Sequence, residues 1–126
     1  MTATYDTSYV PAAPVAEFRL APPGQMMASG PHVGLIDTGA DICIVPYFLV
    51  ESLEIEIDSQ RNLRAYDGSR RPVDIYVVDI EIAQLRLPAI ELVAVEVMDE
   101  AIIGRNVLNR LRISLDGPTA VIEIRA

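Results

Sequence analysis

The chain contains one cysteine, Cys43, and one histidine, His32. A single cysteine excludes an internal disulfide, and one cysteine with one histidine cannot supply the usual zinc ligand set. No metal and no cofactor are expected. Basic residues are also scarce, ten against eighteen acidic ones, for a formal charge of −8. Nucleic-acid binders show the opposite balance or a basic stripe. The only basic cluster, Arg70-Arg71, is too small for that, so a nucleic-acid partner is not expected. No apolar run approaches the ~20 residues of a membrane-spanning helix. The opening MTATYDTSYVPAAPVAEF lacks the positive start and apolar stretch of a signal peptide. These absences point to a cytoplasmic protein without a membrane partner.

What is present suits one compact domain. The 126 residues leave no room for two full lobes, and 51% hydrophobic residues suffice for a core. Residues 1–14, rich in Thr, Ala, Pro and Tyr without apolar periodicity, read as a flexible N-terminal arm, and residues 15–126 as the domain. Strand signal dominates thereafter. Val15–Ala21 alternates weakly and is stopped by Pro22-Pro23-Gly24. His32–Asp37 forms a short strand, turns through Thr38-Gly39-Ala40, and continues as Ile42–Val45 until Pro46. Segments 61–66 and Pro72–Ile82 flank Asp67-Gly68, a dipeptide favoured in tight hairpins. Val73–Ile82 carries β-branched residues almost throughout, and Ile90–Val97 reads as another strand. The sequence predicts one helix, short and late, over Asn106–Arg112, with Val107, Leu108 and Leu111 on one face. Ile113–Leu115 and Ala120–Ile124 around Asp116-Gly117-Pro118 form a terminal hairpin. The expected class is all-β, barrel-like, with one helix in the C-terminal half.

The chemistry lies in Leu35-Ile36-Asp37-Thr38-Gly39-Ala40, where an apolar strand delivers a carboxylate into a tight turn. The glycine permits backbone geometry that larger residues resist. Asp-Thr-Gly by itself is better read as an ordinary turn, because all three are common turn residues. A second element changes that balance. Ala101-Ile102-Ile103-Gly104-Arg105-Asn106 opens the short helix, with Gly104 lying 67 positions after Asp37. Between the two sits the hairpin with its tip at Asp67-Gly68.

These three features, in this order and in a chain of this length, resemble the retropepsins, the single-domain aspartic proteases of retroviruses and their cellular and bacterial relatives. The resemblance runs from about Val15 to the C-terminus. It is strongest in Asp37-Thr38-Gly39-Ala40-Asp41 and Ile102-Ile103-Gly104-Arg105-Asn106-Val107-Leu108. It implies a closed, β-rich acid protease subunit that pairs with its own copy and cuts polypeptide substrate at a site on the two-fold axis. Asp37 would be the catalytic acid/base. Thr38 would brace the two active-site loops across the dimer, and Gly39 would offer its carbonyl to an extended substrate. Ala40, Asp41 and Arg105 would support the site, with Asp41 and Arg105 as an ion pair. Ile102, Ile103 and Gly104 form the second motif. The hairpin residues Tyr66, Asp67, Gly68 and Ser69 would form the flap.

The sequence departs from the viral pattern in three places. The flap has one glycine and several charges, the link Ala21–Pro31 is long and rich in Pro, Met and Gly, and a hairpin replaces the single C-terminal strand. Tyr66 is as well read as an ordinary cross-strand aromatic as a residue closing over substrate. The remaining eye-catching residues have plainer readings. His32 suits a surface or loop, Cys43 a small buried hydrophobe, and Met26-Met27 a loop. The excess of carboxylates is mostly solvated surface, with a bias towards basic peptides as its functional reading. A catalytically silent peptide-binding or dimerisation module is the alternative to an endopeptidase, and the intact Asp-Thr-Gly-Ala argues against it.

Overall fold

The computed structural model describes residues 1–65 and 67–126. Strand β1 is Thr2–Thr4, β2 Val15–Ala21, β3 Ser29–Ile36 and β4 Cys43–Pro46, followed by helix α1, Tyr47–Glu51. Then come β5 (Ser59–Arg64), β6 (Arg70–Ile82), β7 (Leu85–Val95), β8 (Ala101–Ile103), helix α2 (Arg105–Leu108), β9 (Arg112–Asp116) and β10 (Val121–Arg125). The all-β expectation holds, and so does the barrel. Seven strands run in the order β2-β3-β8-β4-β7-β6-β5, and a further β2–β6 pairing closes six of them into a ring. Closure removes the open edges that a flat sheet would expose.

Strand β6 makes the ring possible because its thirteen residues serve two structures. Its first half pairs with β5, from Arg64↔Arg70 to Ser59↔Ile75. Its second half lies between β7 and β2, with Ile80 opposite both Leu87 and Leu20. A register shift between Val78 and Ile80 marks a bulge, the usual device for bending a strand around a barrel. Hairpin β5–β6 therefore projects from the ring as an arm. The turn into β7 is two residues, Ala83 and Gln84, both at positive φ, as the twist of a tight hairpin requires.

Phe18, Leu20, Ile80, Ile82, Leu92 and Ile103 fill the barrel and are almost wholly removed from water. Each such side chain contributes about 1.5–3 kcal/mol relative to exposure. One carboxylate, Asp79, is buried beside them. Its Oδ1 accepts from Ala89 N–H (2.9 Å), and its Oδ2 accepts from Gly24 N–H (2.9 Å) and Arg86 Nη2 (2.6 Å). This fixes the Pro22-Pro23-Gly24 turn against β6 and β7.

The N-terminal segment expected as a flexible arm begins as a strand. Strand β1 pairs with β10, and β10 with β9, in a separate three-stranded sheet. Ile122 and Ile124 of β10 carry that sheet into the core. The Tyr9 hydroxyl donates to Glu100, and Ile36 N–H donates to the Pro14 carbonyl at 3.0 Å, so the segment is held beside β3 and β8. The helices also differ from expectation. Helix α1 is an addition: Pro46 ends β4 but also caps a five-residue helix that buries Leu49 and Val50. Helix α2 ends at Leu108, shorter than the predicted Asn106–Arg112. Among the described residues no helix is long and apolar enough to cross a membrane.

Candidate active site

Strand β8 is only three residues long, yet it lies between β3 and β4. It runs parallel to β3, with Leu35↔Ile102 and Ile36↔Ile103, and antiparallel to β4 at Ile44↔Ile102. Strands β3 and β4 are thus separated by a distant segment and joined by the turn 37–42 arching over its end. This threading brings the two sequence motifs together. Asp37 N–H donates to the Ile103 carbonyl at 3.1 Å, and Arg105 N–H donates to the Ala40 carbonyl at 2.8 Å.

Within the turn, Asp37 Oδ1 accepts from Gly39 N–H at 2.8 Å, and the Asp37 carbonyl accepts from Ala40 N–H at 3.3 Å. The carboxylate is held by its own backbone and stays partly exposed, while Thr38 and Gly39 are exposed. Gly104 is needed for close approach. A Cβ there would stand 2.7 Å from both the backbone carbon and oxygen of Ile42 and 3.0 Å from the Ala40 oxygen. A real Cβ essentially never comes so near backbone, so any larger residue would push the turn away from α2.

Arg105 does not pair with Asp41; the expected ion pair is absent, and the guanidinium has another partner. Its Nη1 donates to the Thr38 carbonyl at 2.7 Å. The backbone bond to Ala40 fixes the stem of Arg105 beside the turn, within reach of the outward-facing Thr38 carbonyl. Asp41 is exposed instead and lines the adjoining groove.

That groove, about 380 Å³, is bounded by Asp37, Gly39, Ala40 and Asp41 on one side and by Leu63, Arg64 and Ala65 of the hairpin on the other. Ile42, Ile44 and Ile102 supply its apolar wall. A second cavity of about 150 Å³ continues beneath the hairpin base, between Asp41, Leu63, Val73 and Asn106. At the hairpin end Gly68 has positive φ, Gly68 N–H donates to the Ala65 carbonyl (3.0 Å), and Asp67 Oδ1 accepts from Ser69 N–H (2.9 Å). Hydrogen bonds from the Ser69 side chain and then its backbone N–H hold the Asp67 carboxyl below its ordinary pKa. Tyr66 lies outside the described residues.

Asn106 is a structural residue that the motif contained but did not explain. Its Oδ1 accepts from Cys43 N–H at 3.1 Å and its Nδ2 donates to the Glu91 carbonyl at 2.7 Å, tying α2 to β4 and β7. Cys43 is buried, its thiol pushed up to about 11 by burial, so it packs rather than reacts. His32 bonds Ser29 (2.6 Å) and is not among the residues lining the groove; burial, then Arg19, lowers its pKa.

A closed six-stranded ring with a carboxylate on a turn threaded by a glycine-ended strand defines the retropepsin-like class of aspartic proteases. Residues 26–110 match the family described as "gag-polyprotein putative aspartyl protease", and the chain belongs to that family. Its fold is similar to the crystal structure of a retropepsin-like aspartic protease from Rickettsia conorii. The TM-score is 0.65 at 12% sequence identity, covering 99% of this chain and 88% of that one. No curated protein matches the chain by sequence.

Proposed function

We propose that this chain is one subunit of a homodimeric aspartic endopeptidase with residues 15–126 as its protease domain and Asp37 as its catalytic residue. The observation that carries this reading is the single, partly exposed Asp37 lining a groove roofed by a hairpin. Aspartic proteolysis needs two facing carboxylates that share one proton, because two like charges at that distance do not both ionise cheaply. The chain offers one Asp-Thr-Gly, so a two-fold axis supplies the second. The ionised member takes a proton from a water that attacks the scissile carbonyl, and the protonated member donates to the carbonyl oxygen. The pair titrates as a unit.

The neighbouring residues have roles compatible with this. Thr38, exposed beside Asp37, would brace the two active-site turns across the dimer. Gly39, without a side chain, leaves room for an extended substrate, and hairpin 65–69 acts as the flap. Arg105 supports the turn through the Thr38 and Ala40 carbonyls, while Asp41 lines the groove beside it. The test is cleavage of a peptide library by the purified protein from acidic to neutral pH, with and without a statine inhibitor. Statine-sensitive cleavage, lost in Asp37→Asn, supports the endopeptidase. Peptide binding without cleavage under every condition would favour a silent module instead.

A further inference from the structure

The charge of the roof hairpin runs against that of the chain. Segment 59–71 holds Arg61, Arg64, Arg70 and Arg71 against one carboxylate, Asp67, a formal +3. The chain as a whole carries −8, so all the remaining residues together carry −11. The pairing of β5 with β6 concentrates this charge further. Arg64 lies directly opposite Arg70, and Arg71 opposite Leu63 on the next rung. Like charges opposed across an antiparallel pair destabilise it. Nothing in the fold offsets this: Arg61 pairs with Glu91, but among the described residues no carboxylate lies within ion-pair range of Arg64, Arg70 or Arg71. Asp67 is engaged with the backbone of Ser69, and Asp74 with the Gln60 amide.

Arg64 lines the same groove as Asp37 and Asp41. The groove therefore has an acidic floor and a basic roof. An extended peptide alternates its side chains between two faces, so one set meets the floor and the next meets the roof. We propose that the hairpin arginines make acidic peptides the preferred occupants of this groove, with a Glu or Asp side chain seated against Arg64 and against Arg70, which shares its face of the hairpin. This rests on the Asp37 groove being a peptide site. It reverses the preference for basic peptides that the net charge suggests. Distance decides between them: at 0.1 M salt, exposed charges beyond about 10 Å are largely screened. On the roof side, Arg64 at the groove and Arg70 beside it therefore outweigh carboxylates spread over the far surface.

The experiment compares three peptides that differ at one roof-facing position, Glu, Gln or Lys, scanned along the sequence. Cleavage is measured with the wild-type protein, and binding of the labelled peptides by anisotropy with the inactive Asp37→Asn variant. At one or more positions the Glu peptide should exceed the Lys peptide by roughly tenfold in kcat/KM and in affinity at low salt. This is the fold-change expected of one or two solvent-exposed ion pairs. The advantage should shrink with added salt, and it should vanish in Arg64→Gln/Arg70→Gln/Arg71→Gln. The Arg64→Glu/Arg70→Glu/Arg71→Glu variant should favour the Lys peptide. Cleavage or binding indifferent to the peptide charge, a preference for Lys, or no binding of any peptide would overturn the proposal. Arginine-dependent binding of Glu peptides without cleavage by the wild type would sustain it while removing the proteolytic reading.

Discussion

Arg105 reaches across 67 positions of sequence to donate its Nη1–H to the Thr38 carbonyl at 2.7 Å, while its own backbone N–H holds Ala40 at 2.8 Å. One residue at the start of α2 thereby pins the Asp37 turn at two points. The acidic neighbour Asp41 takes no part.

The side-chain bond is exposed, so Arg105→Ala should cost only about 0.5–1.5 kcal/mol in urea unfolding, the range of an ordinary hydrogen bond. Activity should fall more than stability, because the turn carrying Asp37 loosens. A double-mutant cycle with Asp41→Ala should give a coupling energy near zero. A coupling of 1 kcal/mol or more would restore the ion pair.

Asp37→Asn should abolish peptide hydrolysis while the circular dichroism spectrum and melting temperature stay near wild type. The carboxylate is partly exposed and its turn bond from Gly39 N–H to Oδ1 can be accepted equally by an amide oxygen. Retained hydrolysis would take Asp37 out of the chemistry.

If two chains share one site, specific activity per subunit should drop on dilution and recover on concentration. Sedimentation across the same range should show the matching monomer–dimer equilibrium. A monomer with undiminished activity at every concentration contradicts the shared site.

Gly104→Ala should be among the most damaging single-methyl additions in the chain. The new Cβ meets backbone of Ile42 and Ala40 rather than a movable side chain tip, so overpacking should cost about 3 kcal/mol, the upper part of its usual range. Turn 37–42 should shift with it, lowering activity at temperatures where the protein is still folded. Urea melts and assays on the same preparation separate the two effects.

Asp79 provides the pH dependence. Burial alone would raise its pKa, but the N–H groups of Gly24 and Ala89 and the Arg86 guanidinium outweigh burial and lower it from the ordinary 3.8. A carboxyl with a lowered folded pKa contributes stability that is complete above its unfolded value and fades as pH falls through the folded one. Stability should therefore decline below about pH 4, and the decline should be shallower in Asp79→Asn. Asp79→Ala should cost about 3 kcal/mol at neutral pH, the low end for breaking a buried pair, since the Arg86 side chain is 39% exposed. Chemical denaturation at pH 3, 4 and 7 reads both effects.

The sequence by itself determined the family and most of the strands. β-branched runs such as Val73–Ile82, the turn residues around Asp67-Gly68 and Asp116-Gly117-Pro118, and the two motifs carry local signals that a single chain displays. It also located Gly104, whose missing side chain lets the turn lie against α2. Helix α1 left no such trace: five residues after a proline are too few to show a helical period. The course of residues 1–14 was equally hidden, since β1 is three residues long and is held by partners more than a hundred positions away. The partner of Arg105 could not be read either. A guanidinium at that position reaches both a carboxylate and a carbonyl, and only the threading of β8 between β3 and β4, with the backbone bond to Ala40, decides that it meets Thr38. Short elements and long-range polar partners are decided by the closed barrel, because the energy that selects them comes from burial and backbone pairing between segments far apart in the chain.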